Sequence, residues 1–535
     1  MRTYLTKLAE CGELATVQAE VNWYLEAGAL CALSNKTGGP ALLFPVIADY
    51  PGYSLVGSLF AGPGTLYPHP LGRTPWRRLA IALGMDQEIG YEELMAELLR
   101  RRDHPLAPVQ VASGSCKEER RLGKEVDLLA FPWPHLYARD GGRYMTAGVI
   151  IVQNRAGTWV NWSVCRGLIN GRDKLVLNIT PDSHLARLHR EYEEKGEPMP
   201  ASIVLGGDPA CFIAAALNVP WGMSEAAVAG GLKGNPVALV RSETNSLLVP
   251  AEAEIVLEGE ILPGERLPEG PFPEYVRYAP SQLRPVFFVR AITHRKNPII
   301  PFVAEGVKVS DSMALRSVLI SLELMYKLRR QTQLKVRWIN LPVEAKLGLC
   351  VAACDPVYRG HNFWVMNFLL RHKKESWFDK IMLVDADLNP VDLYEILNDW
   401  AQKTIPRRGQ GYHVEEVAHP LAPTAAYGQK TGRETAAART IVWDCCWPVN
   451  WSRKDIPVRV TFENSFPETI QQLVLARWHE YGFPQQPLVK QVPPDLNRSQ
   501  VRMWNEESQY VIDEREVDQQ AIDSNKTVEV NLLDC

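Results

Sequence analysis

At 535 residues the chain exceeds one ordinary hydrophobic core, and about two to four domains are expected. Hydrophobic residues make up 46% and the formal net charge is -4, a globular composition without the basic field that would point to nucleic acid as the main partner. No window approaches about 18 uncharged apolar residues, and the opening MRTYLTKLAECGEL carries acids and no apolar core; neither a membrane span nor a signal peptide is expected, and the expected location is cytoplasmic.

Residues 3–12 and 23–33 read as helices, with a strand at Val17–Trp23 between them. After the breaker Gly38-Gly39-Pro40, ALLFPVI and SLVGSLFAGPG read as strands, and Thr74–Leu83 and Tyr91–Arg102 as amphipathic helices. That alternation suggests a small α/β domain ending near Pro105–Pro108. From Val126 short β-rich runs dominate (AGVIIVQ, TWVNWSV, KLVLNI, ASIVLGG, PVALV, AEIVLEG, VFFVRAI), the pattern of a barrel or sandwich. Helices interrupt it near 183–195 and 208–217 and again from Ser224. A long helix over Ser312–Gln333 leads out of this region. The α/β rhythm then returns through VRWINLP, LGLCVAA, a helix around Phe363–Leu370, KIMLVDAD and a helix over Val391–Lys403. Residues 405–465 are Pro/Gly-rich and read as irregular, Pro467–Tyr481 as a last helix, and the polar tail after Pro493 as disordered or docked on a partner. Ten cysteines lie scattered without a paired CxxC spacing, so reduced thiols fit better than disulfides or a zinc site.

The chemistry centres on Trp159–Arg166, WVNWSVCR, which sets Asn161, Ser163 and Arg166 into an apolar, β-prone run. Buried polar groups need partners, and three later pieces offer them: Ser183-His184, Ser224-Glu225 and PEGPFPE at Pro268–Glu274. Asn161, His184 and Glu225 would give an amide oxygen, an imidazole nitrogen and a carboxylate, a set without thiolate that suits Mn²⁺ or Mg²⁺. Asp182 or Ser183 would cap one helix and Ser224 another, and two helix starts together would favour a phosphate. The plainer alternative stands beside this: Asn161 bonded across strands, His184 on a solvated helix face, Glu225 a first-turn acid. Glu269 and Glu274 flank Gly-Pro-Phe-Pro on a stiff loop. Arg166 beside Glu269 would keep that carboxylate ionised, while Glu274 against an apolar pocket would serve as a general acid. Arg166 could instead hold a substrate carboxylate, and the alternative is two solvated glutamates and a surface arginine. Gly206-Gly207 and Gly230-Gly231 lack the dinucleotide fingerprint spacing. Lys380, before the strand IMLVDAD, could reach a phosphate or stay solvated. Cys165 reads as a small buried hydrophobe and not a nucleophile. Trp221, Met223 and Met313 are candidate pocket residues.

At these residues the chain resembles the UbiD family of reversible decarboxylases that use prenylated FMN, with the ferulic acid decarboxylase branch most similar. The resemblance runs from GGPALLF near Gly38 to KIMLVDAD near Lys380 and is carried by GGRYMTAG (141–148), VNWSVCRG (160–167), SEAAVAGGLKG (224–234) with VPAEAEIVLEG (249–259), and PEGPFPE (268–274). It implies Asn161, His184 and Glu225 as ligands of a Mn²⁺ or Mg²⁺ that bridges to the cofactor phosphate, with K⁺ nearby. Ser163, Ser183, Ser224 and Lys380 would then also line the cofactor, and Arg166, Glu269 and Glu274 would form a Glu–Arg–Glu catalytic network. The implied fold is an α/β multidomain chain: an N-terminal α/β domain (1–125), a split β-barrel that binds the flavin (126–311), a linker helix (312–334) and a C-terminal α/β domain with a dimerising tail (335–535). Three positions depart from the family pattern. Pro273 stands where relatives usually carry Gly, Ser183 where close relatives often carry Gln, and Cys165 where a small residue is usual.

The expected function is reversible, non-oxidative decarboxylation of an aromatic, heteroaromatic or α,β-unsaturated acid. By resemblance, the substrate carbon bonds to the cofactor, CO₂ leaves and Glu274 protonates the product. A flavin prenyltransferase would supply the cofactor to a homodimer or higher homo-oligomer, with no nucleic acid or membrane as partner. A flavin oxidoreductase on the same barrel would consume NAD(P)H without releasing CO₂. A non-catalytic flavin-binding or assembly protein would keep its action after Glu274→Gln.

Overall fold

Helix α1 (Arg2–Glu10) buries Tyr4, Leu5 and Leu8 on one stripe, and α2 (Glu26–Thr37) ends at Gly38, whose φ of 67° is the left-handed cap that glycine adopts freely. The strand before α2 is β1 (Leu14–Thr16), not Val17–Trp23, and Val21 keeps only an isolated bridge to Ile47. Local side chains explain the difference. Asn22 Oδ1 accepts from the Tyr24 N–H (2.8 Å) and Glu26 accepts from the Asn22 N–H (2.7 Å), so donors a strand would need are taken and the helix begins at Glu26. Strands β2 (Ala41–Phe44) and β3 (Ser54–Gly57), helices α3 (Arg77–Ala82) and α4 (Tyr91–Arg102), and strands β4 (Val109–Gln110) and β5 (Glu119–Leu122) follow. The computed structural model describes residues 1–65, 69, 72–181, 183–275, 277–306, 309–356, 358–373, 378–404, 411–417, 437–451 and 462–483; Asp182 lies outside them.

The middle of the chain closes a six-stranded barrel. Its strands are β6 (Tyr144–Gln153), β7 (Val160–Ile169), β8 (Lys174–Leu177), β9 (Met199–Leu205), β12 (Ile255–Glu269) and β15 (Gln282–His294). Between them come α5 (His184–Glu193), α6 (Pro209–Ala215), α7 (Glu225–Lys233), β10 (Ala238–Arg241), β11 (Leu248–Pro250), β13 (Phe272–Pro273) and β14 (Tyr278–Ala279). The order is β12-β9-β6-β7-β8-β15, and β12 pairs back onto β15 from Ile255↔His294 to Glu269↔Gln282. Period-2 alternation fills the interior with Ile150, Val152, Cys165, Ile203, Leu205, Ile255, Leu257 and Phe287. Val149, Ile151, Trp162, Val204 and Val256 face outward into a second core shared with the surrounding helices.

Two strands tie the barrel to the N-terminal layer. β5 extends the barrel edge on β15, and β16 (Ile299–Phe302) returns to complete the sheet β1-β2-β3-β16, parallel to β3. Ser310 caps α8 (Asp311–Gln331), whose stretch from Met313 to Leu328 is mostly buried, with the buried Glu323 paired to Arg102 (2.8 Å). Beyond it stands a five-stranded sheet of order β17-β18-β19-β21-β20, from β17 (Val336–Asn340), β18 (Leu349–Cys354), β19 (Lys380–Asp385), β20 (Gly411–Val417) and β21 (Ala437–Cys445). Helices α9 (His361–His372) and α10 (Leu393–Lys403) pack into different core clusters, one from each face of this sheet. β20 and β21 correct the expectation of irregular chain over 405–465: the run TIVWDC is a buried parallel strand against β19, and the Pro and Gly residues lie outside it.

Met1–Cys446 forms one compact unit. The second, Trp447–Cys535, contains the short helix Phe462–Ser465 and the helix Glu468–Ala476, which is shorter than the expected Pro467–Tyr481. The tail after Pro493 lies outside the described residues. Among the described residues no helix is long and apolar enough to cross a membrane.

Candidate active site

Two clusters of polar side chains hang on β7. The first surrounds Glu225, the first residue of α7, whose N-terminus is capped by Ser224 Oγ accepting from the Ala227 N–H (3.3 Å). That helix start directs the Glu225 carboxyl at the β7 backbone, where it accepts from Asn161 Nδ2 (2.9 Å) and the Trp162 N–H (3.1 Å). Ser163 Oγ donates to Asn161 Oδ1 (2.9 Å). Glu225 is 2% exposed and, among the described residues, makes no ion pair. Burial pushes its carboxyl up to about 7, against the hydrogen bonds that favour the charged form. The Arg102 charge also favours the ionised form, and a divalent ion held at the Glu225 and Asn161 oxygens would favour it further.

His184 begins α5, capped by Ser183 Oγ, which accepts from the Ala186 N–H (3.1 Å) and donates to the Thr180 carbonyl (2.8 Å). Its ring meets Trp159 edge-on at 5.6 Å and Trp221 at 5.1 Å. Trp159 Nε1 donates to the Met223 carbonyl (2.9 Å), just before α7. Trp159 thus stands between the two helix starts, and Arg187 lies 4.1 Å over the Trp221 ring. Asn161, His184 and Glu225 include only two His, Cys, Asp or Glu side chains, and among the described residues no group of three or more of those types is arranged to hold a metal. The donor set fits a hard divalent ion: carboxylate and amide oxygens with one imidazole, and no thiolate.

The second cluster is built on Arg166. Its Nε and Nη2 donate to the two oxygens of Glu269 (2.9 and 3.3 Å), and its Nη1 donates to Glu274 Oε1. The guanidinium lies 4.5 Å over the Phe272 ring, which packs 4.4 Å from Tyr144. Burial works to lower the Arg166 pKa, and Glu274 and Glu269 together raise it, so the side chain is a permanent cation. Glu269 is the last residue of β12 and so sits at a strand end, not inside a loop. Glu274 follows β13, where Pro273 pairs with Tyr278 in a two-stranded ladder. The Gly270 N–H donates to Tyr144 Oη (3.0 Å) and the Gly141 N–H to the Pro271 carbonyl (2.9 Å), so GGRYMTAG braces PEGPFPE. Gly141 allows that approach, because a Cβ there would collide with the Gly270 carbonyl. Arg166, Glu269 and Glu274 make no hydrogen bond or ion pair to Asn161, Ser163 or Glu225. In sequence between the two clusters, Val164 is 38% exposed and is the most exposed residue of β7.

Lys380 opens β19 and donates to Asp379 (2.7 Å), with no contact to either cluster. Cys165 is buried in the barrel and burial pushes its thiol up to about 12, which suits a packing role. Met313 is buried in a small cluster that Tyr275 packs against, and Met223 Sδ accepts from Arg102 (3.1 Å). A separate apolar cavity between Tyr4, Phe60, Phe212, Val149 and Val204 includes none of the expected site residues. Phe272, Tyr144 and the buried acids Asp140 and Glu305 were not singled out from the sequence. The visible trace of each acid is a lone carboxylate next to a turn, in ARDGG and VAEGV.

Family models for the 3-octaprenyl-4-hydroxybenzoate carboxy-lyase match three successive stretches: the N-terminal domain over 5–98, the Rift-related domain over 108–308 and the C-terminal domain over 314–438. The chain is 30% identical over 503 residues to the pyrrole-2-carboxylic acid decarboxylase of Pseudomonas aeruginosa, covering 90% of this chain and 98% of that protein. It is 26% identical over 504 residues to ferulic acid decarboxylase 1 of Saccharomyces cerevisiae, with 90% and 98% covered. The solved UbiD-class enzyme HmfF of Pelotomaculum thermopropionicum, in complex with FMN, superposes with a TM-score of 0.73 at 26% identity over 86% of this chain and 97% of that one. The barrel, the helix starts and the paired carboxylates therefore stand in a chain matched almost end to end by decarboxylases, and the chain belongs to the UbiD family of carboxy-lyases.

Proposed function

We propose that the chain decarboxylates an aromatic, heteroaromatic or α,β-unsaturated carboxylic acid without net oxidation, using prenylated FMN. The carrying observation is Arg166 held between Glu269 and Glu274 over Phe272. When bound, prenylated FMN supplies an electron sink for the carbanion equivalent, chemistry that no side chain offers. Asn161, His184 and Glu225 would hold Mn²⁺ or Mg²⁺ beside the cofactor phosphate, where the N-termini of α5 and α7 also favour an anion. K⁺ would sit nearby, and Ser163, Ser183, Ser224 and Lys380 would line the cofactor.

A guanidinium carries five N–H donors. The three directed at Glu269 and Glu274 leave two for a substrate carboxylate. Arg166 orients that carboxylate and Glu269 holds Arg166. The C–C bond to the carboxylate breaks, CO₂ leaves, and Glu274 gives its proton to the carbon left behind. One proton is consumed per turnover, and Glu274, whose side chain is 15% exposed, takes the next one from solvent. A flavin prenyltransferase supplies the cofactor, and the working form is a homodimer or larger.

The test is co-expression with a flavin prenyltransferase, mass analysis of the released small molecules, and a CO₂-release screen that includes pyrrole-2-carboxylate and ferulate. Prenylated FMN with CO₂ release is expected, and Glu274→Gln should keep the cofactor while losing turnover. Plain FMN with NAD(P)H oxidation and no CO₂ would sink the proposal.

A further inference from the structure

The start of α7 is held from the N-terminal layer. Met223, just before the Ser224 cap, is fixed at both ends: its carbonyl accepts from Trp159 Nε1 (2.9 Å) and its Sδ from Arg102 Nη1 (3.1 Å). Arg102 closes α4 and is 1% exposed. Its Nε donates to Glu323 on α8 (2.8 Å), and its guanidinium lies 4.3 Å over the Tyr326 ring. The rigid fork that reaches Met223 is therefore itself fixed by two side chains of one buried helix. The end of α4 and the chain after it run along α7. Arg101 Nη1 donates to the Leu232 carbonyl (2.8 Å), and the Leu106 N–H donates to the Ala227 carbonyl (2.9 Å). Gly230 and Gly231 permit this approach, since a Cβ at either would stand 2.6 Å from a backbone carbonyl oxygen, that of Leu106 or of His104. Ahead of Met223 the chain is a surface turn, with Trp221 39% exposed and Gly222 at a φ of 85°.

Met223 thus stands where two of the expected ion ligands meet. On one side it leads through Ser224 into Glu225, whose carboxyl accepts from Asn161 Nδ2 (2.9 Å) and the Trp162 N–H (3.1 Å). On the other it holds Trp159, whose ring meets His184 edge-on at 5.6 Å. A displacement of Met223 is felt at both. We infer that Arg102 is a positioning residue for the divalent-ion site: through its contact with Met223 it sets where α7 begins, and so where Glu225 and the Trp159–His184 pair stand. This rests on the reading of Asn161, His184 and Glu225 as ion ligands. Arg102 supplies no ligand itself, because a guanidinium has donors only. It acts as outer partners of metal ligands do, by fixing the groups that bind.

The test is Mn²⁺ affinity, measured on holoenzyme stripped of metal by a chelator and titrated with Mn²⁺, with the free ion read by electron paramagnetic resonance. Arg102→Lys keeps a cation for Glu323 but loses the fork that spans Glu323 and Met223 together, and about tenfold weaker binding is expected. Met223→Leu keeps the volume and removes the acceptor, and about threefold weaker binding is expected. Met223→Gln restores an acceptor at similar length and should bind Mn²⁺ as wild type does. Because Arg102→Lys and Met223→Leu break one contact, the double variant should bind no more weakly than Arg102→Lys alone. Unchanged affinity in Met223→Leu, equal losses in Met223→Leu and Met223→Gln, or additive losses in the double variant would each overturn the inference. Glu13→Gln controls for lost stability: Glu13 is buried in the same layer and pairs with Arg78 (3.0 Å). It should lower the melting temperature and leave Mn²⁺ affinity alone; a loss equal to that of Arg102→Lys would assign the effect to general destabilisation and also overturn the inference. If Arg102→Lys does not fold, the two Met223 variants decide. Glu225→Ala is measured alongside. Wild-type Mn²⁺ affinity there removes the ion assignment itself, whereas lost binding there with unmoved affinity in the Met223 and Arg102 variants removes only the role of Arg102.

Discussion

Arg166→Met tests the electrostatic core of the site by deleting the guanidinium while keeping an apolar stem over Phe272. Wild type holds Glu269, with 3% of its side chain exposed, and Glu274, with 15% exposed, against one cation that is itself 12% exposed. Removing one partner of such a buried arrangement costs about 3–5 kcal/mol, because the remaining charges stay desolvated. Partial exposure of Glu274 places the expected loss toward the lower end. The sign with pH follows from linkage. Without Arg166 the folded variant binds protons on these carboxyls more tightly than the unfolded chain does, so its stability falls as pH rises. The deficit relative to wild type should therefore be largest near pH 8 and shrink toward pH 5, where protonation relieves the repulsion. Guanidinium chloride melts of the cofactor-free protein at the two pH values measure it. An equal deficit at both would show that lost packing, and not unpaired charge, dominates, and the electrostatic account of the cluster would be wrong.

Glu305→Gln should change stability with pH. A folded-state value of about 7 against an ordinary 4.5 means that wild type loses stability as pH rises through that window, by about 3 kcal/mol at most; the variant should gain at pH 8 and not at pH 4.5, and a pH-independent effect in thermal melts would count against a protonated Glu305. Cys165, buried with its thiol pushed up to about 12, should resist iodoacetamide at pH 8 in the folded protein, and Cys165→Ala should keep turnover; rapid labelling located there by peptide mass analysis would reverse that reading. Mn²⁺ at about a hundred times its Kd should stabilise wild type by about 2.7 kcal/mol and leave Glu225→Ala unmoved; an equal rise in melting temperature in both would place the ion elsewhere.

The parts of the site legible in the sequence are those in which chemistry interrupts a pattern. Asn161, Ser163 and Arg166 stand out because an amide, a hydroxyl and a guanidinium occupy a run otherwise fit for a barrel wall, and the structure gives each a polar partner. Ser183 and Ser224 are legible as caps because a hydroxyl before a helical run has one local job. The N-terminal strand was misplaced by a few residues because two local side-chain bonds around Asn22 outweigh an apolar alternation. β20 and β21 were hidden by the Pro and Gly residues between them, although TIVWDC carries a strand signal of its own. Closure of the barrel between Ile255 and His294, and the return of β16 to the first sheet, are long-range pairings that no local window contains. Phe272 and Tyr144 escaped notice because aromatic residues in β-rich chain are ordinarily core, and only the fold puts one beneath Arg166. Lys380 was open in the sequence between a phosphate contact and a solvated strand end; in the fold it is partly exposed and pairs with its own neighbour Asp379, a local contact that no motif marks.

The two carboxylates on Arg166 are not equivalent, and the difference bears on how the proposed reaction divides its labour. Glu269 ends β12, is fixed in register opposite Gln282, and grips the guanidinium with both oxygens. Glu274 stands five residues on, beyond a strand of only two residues, is the more exposed of the pair, and uses one oxygen. A group that must hold Arg166 through every turnover benefits from the first setting, and one that must release its contact to deliver a proton benefits from the second. Pro273 sharpens the contrast, since its fixed φ and missing N–H limit how the backbone before Glu274 moves and leave the side chain to make the excursion. Glu269→Gln should then loosen Arg166 and raise the substrate KM, because the amide retains shape but not charge. Glu274→Gln should leave KM near wild type and remove kcat. Reversed effects on KM and kcat would exchange the roles of the two residues while keeping the cluster, and equal effects would mean that the asymmetry of their settings carries no division of function.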